Sequence, residues 1–282
     1  MSIDATGTQN YDPSIVGTQA IGIDIGGTGI KGALVDVETG ELLSDRIKLP
    51  TPEGGEPDDI VRTVTEVISK IPDVHPDTPV GVCFPAVVQH GRTMSAANVS
   101  DKWIGLEAEA LFEKAIGRDI TFVNDADAAG YCESQFGAGK NKLGLVLMTT
   151  LGTGIGSAII FDGRLVPNAE LGHLALDGHE DYEKVASFAA KEREDLSYKH
   201  WAKRLQKYYA HLEMLFSPDL FIVGGGVSKH ADQFLPLLDL TAPIVPALFR
   251  NNAGILGCAS LAAHAAGTKR RDGAETAVRR TN

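Results

Sequence analysis

Apolar and polar positions alternate along this chain in short blocks. Aliphatic and β-branched runs at residues 20–25, 30–37, 80–84, 120–123, 143–149, 155–161 and 220–223 are bounded by Gly, Asn or Asp and predict strands. Residues 57–70, 106–116, 126–136, 199–216 and 255–266 have helix-compatible composition or i, i+3, i+4 apolar spacing and predict helices. Strands alternating with helices place the chain in the α/β class. Residues 1–18 are rich in Thr, Gly, Asp and Gln and read as a flexible lead-in. Residues 269–282 hold five basic and two acidic side chains without apolar periodicity and read as a solvated basic tail.

A short repeat organises the middle. Gly27-Thr28-Gly29-Ile30-Lys31-Gly32-Ala33 and Gly152-Thr153-Gly154-Ile155-Gly156-Ser157-Ala158 share five of seven residues. Each copy joins two strand-like runs and is followed by a second polar turn, at residues 38–40 in one case and 162–163 in the other. The pattern predicts two related lobes, each presenting a glycine turn to one cleft, with positive φ at the hairpin tips. Backbone N–H groups at glycines and threonine hydroxyls suit phosphate oxygens. A third cluster, Gly224-Gly225-Gly226, follows the run 220–223 and also allows close approach of a phosphate or nucleotide. Walker A and GxGxxG spacings are absent from these loops, so a P-loop or dinucleotide fold is not supported.

Asn124-Asp125 ends one strand and opens a helix. An aspartate there is either a helix cap or a carboxylate that accepts the proton of an attacking hydroxyl, as phosphoryl transfer to an alcohol requires. Glu170, Gly172 and His173 form an ExGH cluster followed by Glu180 and Glu183; these groups either bind vicinal hydroxyls or are surface polar residues. Asn98 and Asp101 are candidates to join them from the other lobe, while Trp103 reads as packing.

Charge and cysteine content narrow the classes. Lysine plus arginine number 26 against 37 acidic residues, a formal net charge of -11, which argues against a general affinity for nucleic acid or anionic membrane. No apolar run approaches the roughly 20 residues of a membrane helix, and the N-terminus lacks signal-peptide character, so a cytoplasmic protein is expected. Cys83, Cys132 and Cys258 are far apart and predict buried thiols rather than disulfides.

IGIDIGGTGIKGALVD (21–36), NDADAAG (124–130), LGTGIGSAI (151–159), ELGH (170–173) and SPDLFIVGGGVS (217–228) together resemble the ROK family of sugar kinases over residues 19–267. The resemblance implies a two-lobed actin/hexokinase-like (ribonuclease H-like) fold with a duplicated core, an N-terminal lobe at 19–123, a C-terminal lobe at 124–268 whose last helix can pack back on the first, and an active-site cleft between them. It implies Asp125 as base for the 6-hydroxyl of a hexose bound by Asn98, Asn124, Asp125, Glu170 and His173, with Glu183 fitting the family's further glutamate better than Glu180. Asp24, Gly26, Gly27, Thr28, Gly29 and Lys31 would form the first phosphate turn, Thr153 and Gly154 the second, and Gly224, Gly225 and Gly226 the nucleotide side, with Mg2+ bridging the donor phosphates. Within the family the wording is most similar to kinases that use inorganic polyphosphate or ATP on glucose, with mannose as a further acceptor. A non-catalytic sugar sensor, or a kinase for N-acetylmannosamine or fructose, is the alternative; the DNA-binding segment of regulatory members has no counterpart in the first 18 residues. The cysteine-rich zinc site of many members is missing after His173, so no structural zinc is expected and another group must hold that imidazole. Homodimers occur in the family, and nothing in the sequence marks an interface.

A long polyphosphate needs a path across an acidic protein. Residues 184–207 hold seven basic and three acidic side chains. Lys199, Lys203 and Lys207 recur every four residues along one predicted helix face, with Trp201, Leu205, Tyr208, Leu212 and Leu215 on the other. This stripe, with Arg204 and Lys191 or Arg193, is either a solvated face or the guide for the phosphate tail.

Overall fold

The computed structural model describes residues 17–96 and 99–281, with side chains placed up to residue 267. The lead-in expected at 1–18 falls almost wholly outside the described residues, as does Asn98. The chain divides into two compact units, residues 1–123 with 258–282 and residues 124–257.

The first unit is built on a mixed sheet of β1 (Gln19–Gly26), β2 (Gly29–Asp36), β3 (Glu41–Leu42), β4 (Ile47–Leu49), β5 (Val80–Phe84) and, further along, β8 (Thr121–Asn124), in the order β3-β2-β1-β5-β8 with β4 on β2. A small hairpin of β6 (Val88–Gln89) and β7 (Arg92–Thr93) lies apart. The alternation of apolar runs with Gly and Asp sets these strands: β1 and β2 pair antiparallel from Gln19↔Asp36 to Gly26↔Gly29, and β1 and β5 run parallel. Helix α1 (Pro57–Ser69) starts with proline at its first position and Asp58 and Asp59 in its first turn, both favourable there. It buries Ile60, Val61, Val64 and Val67 at helical spacing. Helix α2 (Ala108–Ile116) stops at Gly117, which takes the left-handed conformation. Trp103 is fully buried between Phe84 and Phe112 and donates its indole N–H to the Gly55 carbonyl at 2.8 Å, so it packs. Each such side chain contributes about 1.5–3 kcal/mol by leaving water.

The second unit repeats the plan. β9 (Leu145–Leu151), β10 (Ile155–Phe161), β11 (Arg164–Val166), β12 (Leu220–Gly224) and β13 (Ile244–Pro246) lie in the order β11-β10-β9-β12-β13, again an antiparallel hairpin followed by parallel strands. Its helices are α3 (Asp125–Gln135), the short α4 (Glu183–Ala186) and α5 (Phe188–Arg193), and the long α6 (Tyr198–Phe216). Trp201, Leu205, Tyr208 and Leu212 of α6 are buried as predicted, but Leu215 in its last turn is half-exposed. The Tyr209 hydroxyl meets Thr149 Oγ1 at 2.6 Å and ties α6 to β9.

Helix α7 (Ala253–Thr281) runs through the segment where a tail was expected. Its Ala, Lys, Arg and Glu residues are strong helix formers, so the backbone ladder continues without an apolar stripe. In the first unit, Cys258 Sγ of α7 reaches the carbonyls of Gly81 at 3.3 Å and Ile23 at 3.5 Å. All three cysteines are buried thiols that form no disulfide among the described residues. Among the described residues no helix is long and apolar enough to cross a membrane.

Candidate active site

Strand β8 hands the chain to α3 through Asn124, whose side-chain oxygen accepts from the N–H groups of Ala126 at 2.8 Å and Asp127 at 3.0 Å. Asn124 therefore takes the cap that the sequence left open. Asp125 occupies the first helical position, with Oδ1 2.8 Å from the Ala126 nitrogen and its side chain half-buried. A carboxylate at a helix N-terminus is favoured in its charged form by the helix dipole.

Glu170, His173 and Glu183 come together in the same unit. His173 Nδ1 lies 3.1 Å from Asp181 Oδ1 and 3.9 Å from Glu183 Oε1, and its Nε2 lies 3.9 Å from Glu170 Oε2. Asp181 is in turn 3.1 Å from the Lys184 ammonium. Asp181 thus holds the imidazole where a cysteine-bound zinc was not expected, a role sequence reading missed because nothing marks it among the run of acids at 177–183. Burial works to lower the His173 pKa, but the Asp181 hydrogen bond and the carboxylates of Glu183, Asp181 and Glu170 outweigh it and raise the net value. Burial pushes the Glu170 carboxyl up, with His173 opposing and Glu183 adding to the rise. Glu180 is exposed and forms no part of this group.

Short helix α4 presents Glu183, and Trp201 fixes that helix by donating its indole N–H to the Ala186 carbonyl at 2.8 Å. Glu183 Oε2 accepts from the Ile155 N–H at 2.9 Å, directly after the second glycine turn. A Cβ on Gly154 would sit 2.3 Å from that oxygen. Positive φ, expected at the tips, is absent from Gly29, Gly152 and Gly154; at Gly29 and Gly154 glycine is required for close approach instead, while a Cβ on Gly152 would meet open space. Thr153 is exposed at the turn, and the Gly152 carbonyl accepts from Ala189 at 3.0 Å. Gly225 has φ of 83° and brings the loop of Gly224, Gly225 and Gly226 against the Leu151 backbone at the end of β9, where any Cβ would clash at 2.4 Å.

The first glycine turn is built differently. Gly27 and Thr28 are exposed between the paired Gly26 and Gly29. Lys31 Nζ lies 2.8 Å from Asp24 Oδ2, and the Thr51 hydroxyl donates to the Gly26 carbonyl. The Lys48 side chain crosses the face of Gly29, its Cε 2.7 Å from where a Cβ would stand. Sequence reading passed over Lys48, whose strand is three residues long and carries no periodic signal.

The basic stripe is only partly available. Lys203, Arg204 and Lys207 line a depression of about 570 Å³ with His179, His200 and Tyr182, but Lys199 is not among its lining residues. Lys207 is paired with Asp177 at 2.5 Å and Arg204 with Glu194 at 2.5 Å, while Lys191 is tied to Glu192 at 2.8 Å. Partners 30 and 10 residues away are invisible to a helical-wheel argument.

The profile of the ROK family matches residues 20–187. The polyphosphate glucokinase of Mycobacterium tuberculosis (strain CDC 1551 / Oshkosh) is 45% identical over 258 residues, covering 90% of this chain and 96% of that protein. The crystal structure of the inorganic polyphosphate/ATP-glucomannokinase from Arthrobacter sp. strain KM is 52% identical with a TM-score of 0.80, covering 86% of this chain and 97% of its own. A ROK family glucokinase from Streptomyces griseus, solved with glucose and AMPPNP, is 27% identical with a TM-score of 0.74, covering 86% and 99%.

Proposed function

The chain belongs to the ROK family, with its actin/hexokinase-like α/β fold, and on that premise we propose that it moves a phosphoryl group from inorganic polyphosphate or ATP to the 6-hydroxyl of glucose, with mannose as a second acceptor. The observation that carries this is the second unit's arrangement of Asn124 and Asp125 at a helix start with Glu170, His173 and Glu183. Asp125 is the base that accepts the hydroxyl proton as the phosphoryl group arrives. Glu170, His173, Glu183, Asn124 and Asn98 bind the sugar hydroxyls; a glutamate with a raised pKa beside an imidazole with a raised pKa offers donors and acceptors at once. The relatives' names support the donors and the hexose: polyphosphate glucokinase for one and polyphosphate/ATP-glucomannokinase for another.

Asp24, Gly26, Gly27, Thr28, Gly29 and Lys31 hold the donor's reacting phosphates, with Thr153 and Gly154 at the second turn and Gly224, Gly225 and Gly226 on the nucleotide side. Mg2+ fits this assignment: Asp24, paired on one oxygen with Lys31, supplies a hard carboxylate beside the phosphate turn. The ion would offset phosphate charge when bound. The remainder of a polyphosphate tail runs over the depression of Lys203, Arg204 and Lys207, displacing Glu194 and Asp177 from their cations, with Lys199 at its outer end. A cytoplasmic site of action accords with soluble sugar and phosphate substrates.

A coupled assay for glucose 6-phosphate and mannose 6-phosphate, with ATP and polyphosphate in parallel, tests the reading. Product with glucose and at least one donor is expected. Failure of every donor and acceptor pair would overturn it.

A further inference from the structure

Asp127 is a second acid in the segment Asn124-Asp125-Ala126-Asp127, and nothing in the proposed chemistry uses it. It lies in the first turn of α3 with only 1% of its surface exposed. An acid at that position commonly turns back to the helix's own first N–H groups. Asn124 already takes two of these, and Asp127 points its Oδ2 elsewhere, accepting the Asn168 N–H at 2.7 Å. Asn168 has a left-handed φ of 61°, a conformation that asparagine adopts more readily than most residues, and it turns its N–H toward Asp127. It stands two residues before Glu170. Ser157 adds two bonds to this segment: its hydroxyl donates to the Ala169 carbonyl at 2.6 Å and accepts from Leu171 N at 2.8 Å. Glu170 is thus presented from a backbone pinned on one side to β10 and on the other to the helix that begins with Asp125.

We propose that Asp127 is a positioning residue for Glu170, setting the separation of the two carboxylates that face the hexose by tying the Glu170 segment to the first turn of the Asp125 helix. This rests on the sugar-site reading above. Two further observations agree with a role beyond filling space. The second oxygen, Oδ1, is buried and has no hydrogen-bond partner among the described residues, a state that costs stability and is seldom kept without a use. Burial, with Glu170 and Asp125 adding their charge and the Asn168 N–H opposing, pushes the Asp127 pKa up to about 7. The acid groups that act on it are Asp125 from its own helix and Glu170 from the facing segment, with His173 beside Glu170 as the nearby base. The tie therefore carries a proton or a charge depending on pH, and a charge there repels both sugar-facing carboxylates.

The test uses the full chain, glucose binding by titration calorimetry without donor, and steady-state KM values for both substrates. Asp127→Ala removes the acceptor and should weaken glucose binding about tenfold, with the KM for polyphosphate and for ATP within about twofold of the parent. Asp127→Asn keeps an oxygen for the Asn168 N–H, so its glucose affinity should stay within about threefold at pH near 6, where the parent side chain is mostly protonated. The parent should show a larger step in glucose affinity between about pH 6 and pH 8 than Asp127→Asn, in which His173 still titrates but Asp127 no longer does. Unchanged glucose binding in Asp127→Ala, or equal weakening for glucose and donor, overturns the proposal. If Asp127→Ala does not fold, Asp127→Asn decides alone: the same pH step as the parent overturns it. A parent chain that binds no hexose would sink the sugar-site reading itself, and that result appears before any substitution is made.

Discussion

The two glycine turns carry nearly the same sequence in opposite surroundings. At the first, Lys31 is paired with Asp24 and the stem of Lys48 lies across Gly29. At the second, the nearest side chain is a carboxylate, Glu183, which accepts the Ile155 N–H and shares His173 with Glu170. A repeated motif thus specifies a repeated backbone, while charge arrives from Lys31, at a position where the two copies differ, and from Asp24, Lys48 and Glu183 outside the repeat. The first turn is equipped for anions by its lysines. The second is tied through Glu183 to His173 and Glu170, so under the proposed function donor contact at Thr153 and Gly154 and acceptor contact at Glu183 would meet in one turn.

Five substitutions would break or sharpen this contrast. The largest effect is expected in the second unit: Asp125→Asn should lower kcat roughly 10²–10⁴-fold while glucose binding by calorimetry persists. A small loss of kcat would remove Asp125 as base. Next comes the pH dependence of stability. Between its ordinary 3.8 and its raised value of about 7, Asp127 keeps a proton in the folded chain that the unfolded chain has released. Stability therefore falls as pH rises through that window, and the loss persists above it. Asp127→Asn should escape it and gain on the order of 4 kcal/mol relative to the parent between pH 4 and pH 8, read from urea unfolding. No relative gain would mean that Asp127 ionises normally.

The contrast itself is tested by a crossed pair. Lys31→Met should raise the KM of both donors about tenfold and leave that of glucose nearly unchanged, whereas Glu183→Ala should do the reverse. Parallel effects from the two would erase the division between the turns. The smallest change is expected at the outer depression. Asp177→Asn should release Lys207 and lower the KM for polyphosphate about two- to threefold without altering that for ATP, an exposed pair being worth no more than about 1 kcal/mol. An equal shift for both donors would take the tail elsewhere.

Much of the scaffold was legible from patterning. Strands at 80–84 and 155–161 coincide with β5 and β10, and the helix predicted at 199–216 begins one residue earlier as α6. Aliphatic runs ended by Gly, Asn or Asp leave little choice of boundary. Strands of two or three residues such as β3, β4 and β11 show no period and were missed. Asn124 and Asp125 could be named because they stand where a strand hands over to a helix, and Glu170, His173 and Glu183 because the family resemblance singles out those positions. Asp127 was passed over because its chemistry lies in its burial, and a polar residue in a helix looks solvated until its neighbours are known. The stripe of lysines was legible as a pattern, but its neutralisation by Asp177 and Glu194 was not.

The first unit is discontinuous, made of residues 1–123 and 258–282, while the second is a continuous 124–257. During synthesis the usual order, in which the N-terminal part folds first, cannot be completed here. The strands Gln19–Gly26 and Val80–Phe84 emerge early, yet the part of α7 from Cys258 onward, whose sulfur rests on Ile23 and Gly81, is translated only after the whole of the second unit. The nascent chain must shelter an uncovered sheet while the unit that follows it closes. The half of the enzyme begun first is finished last.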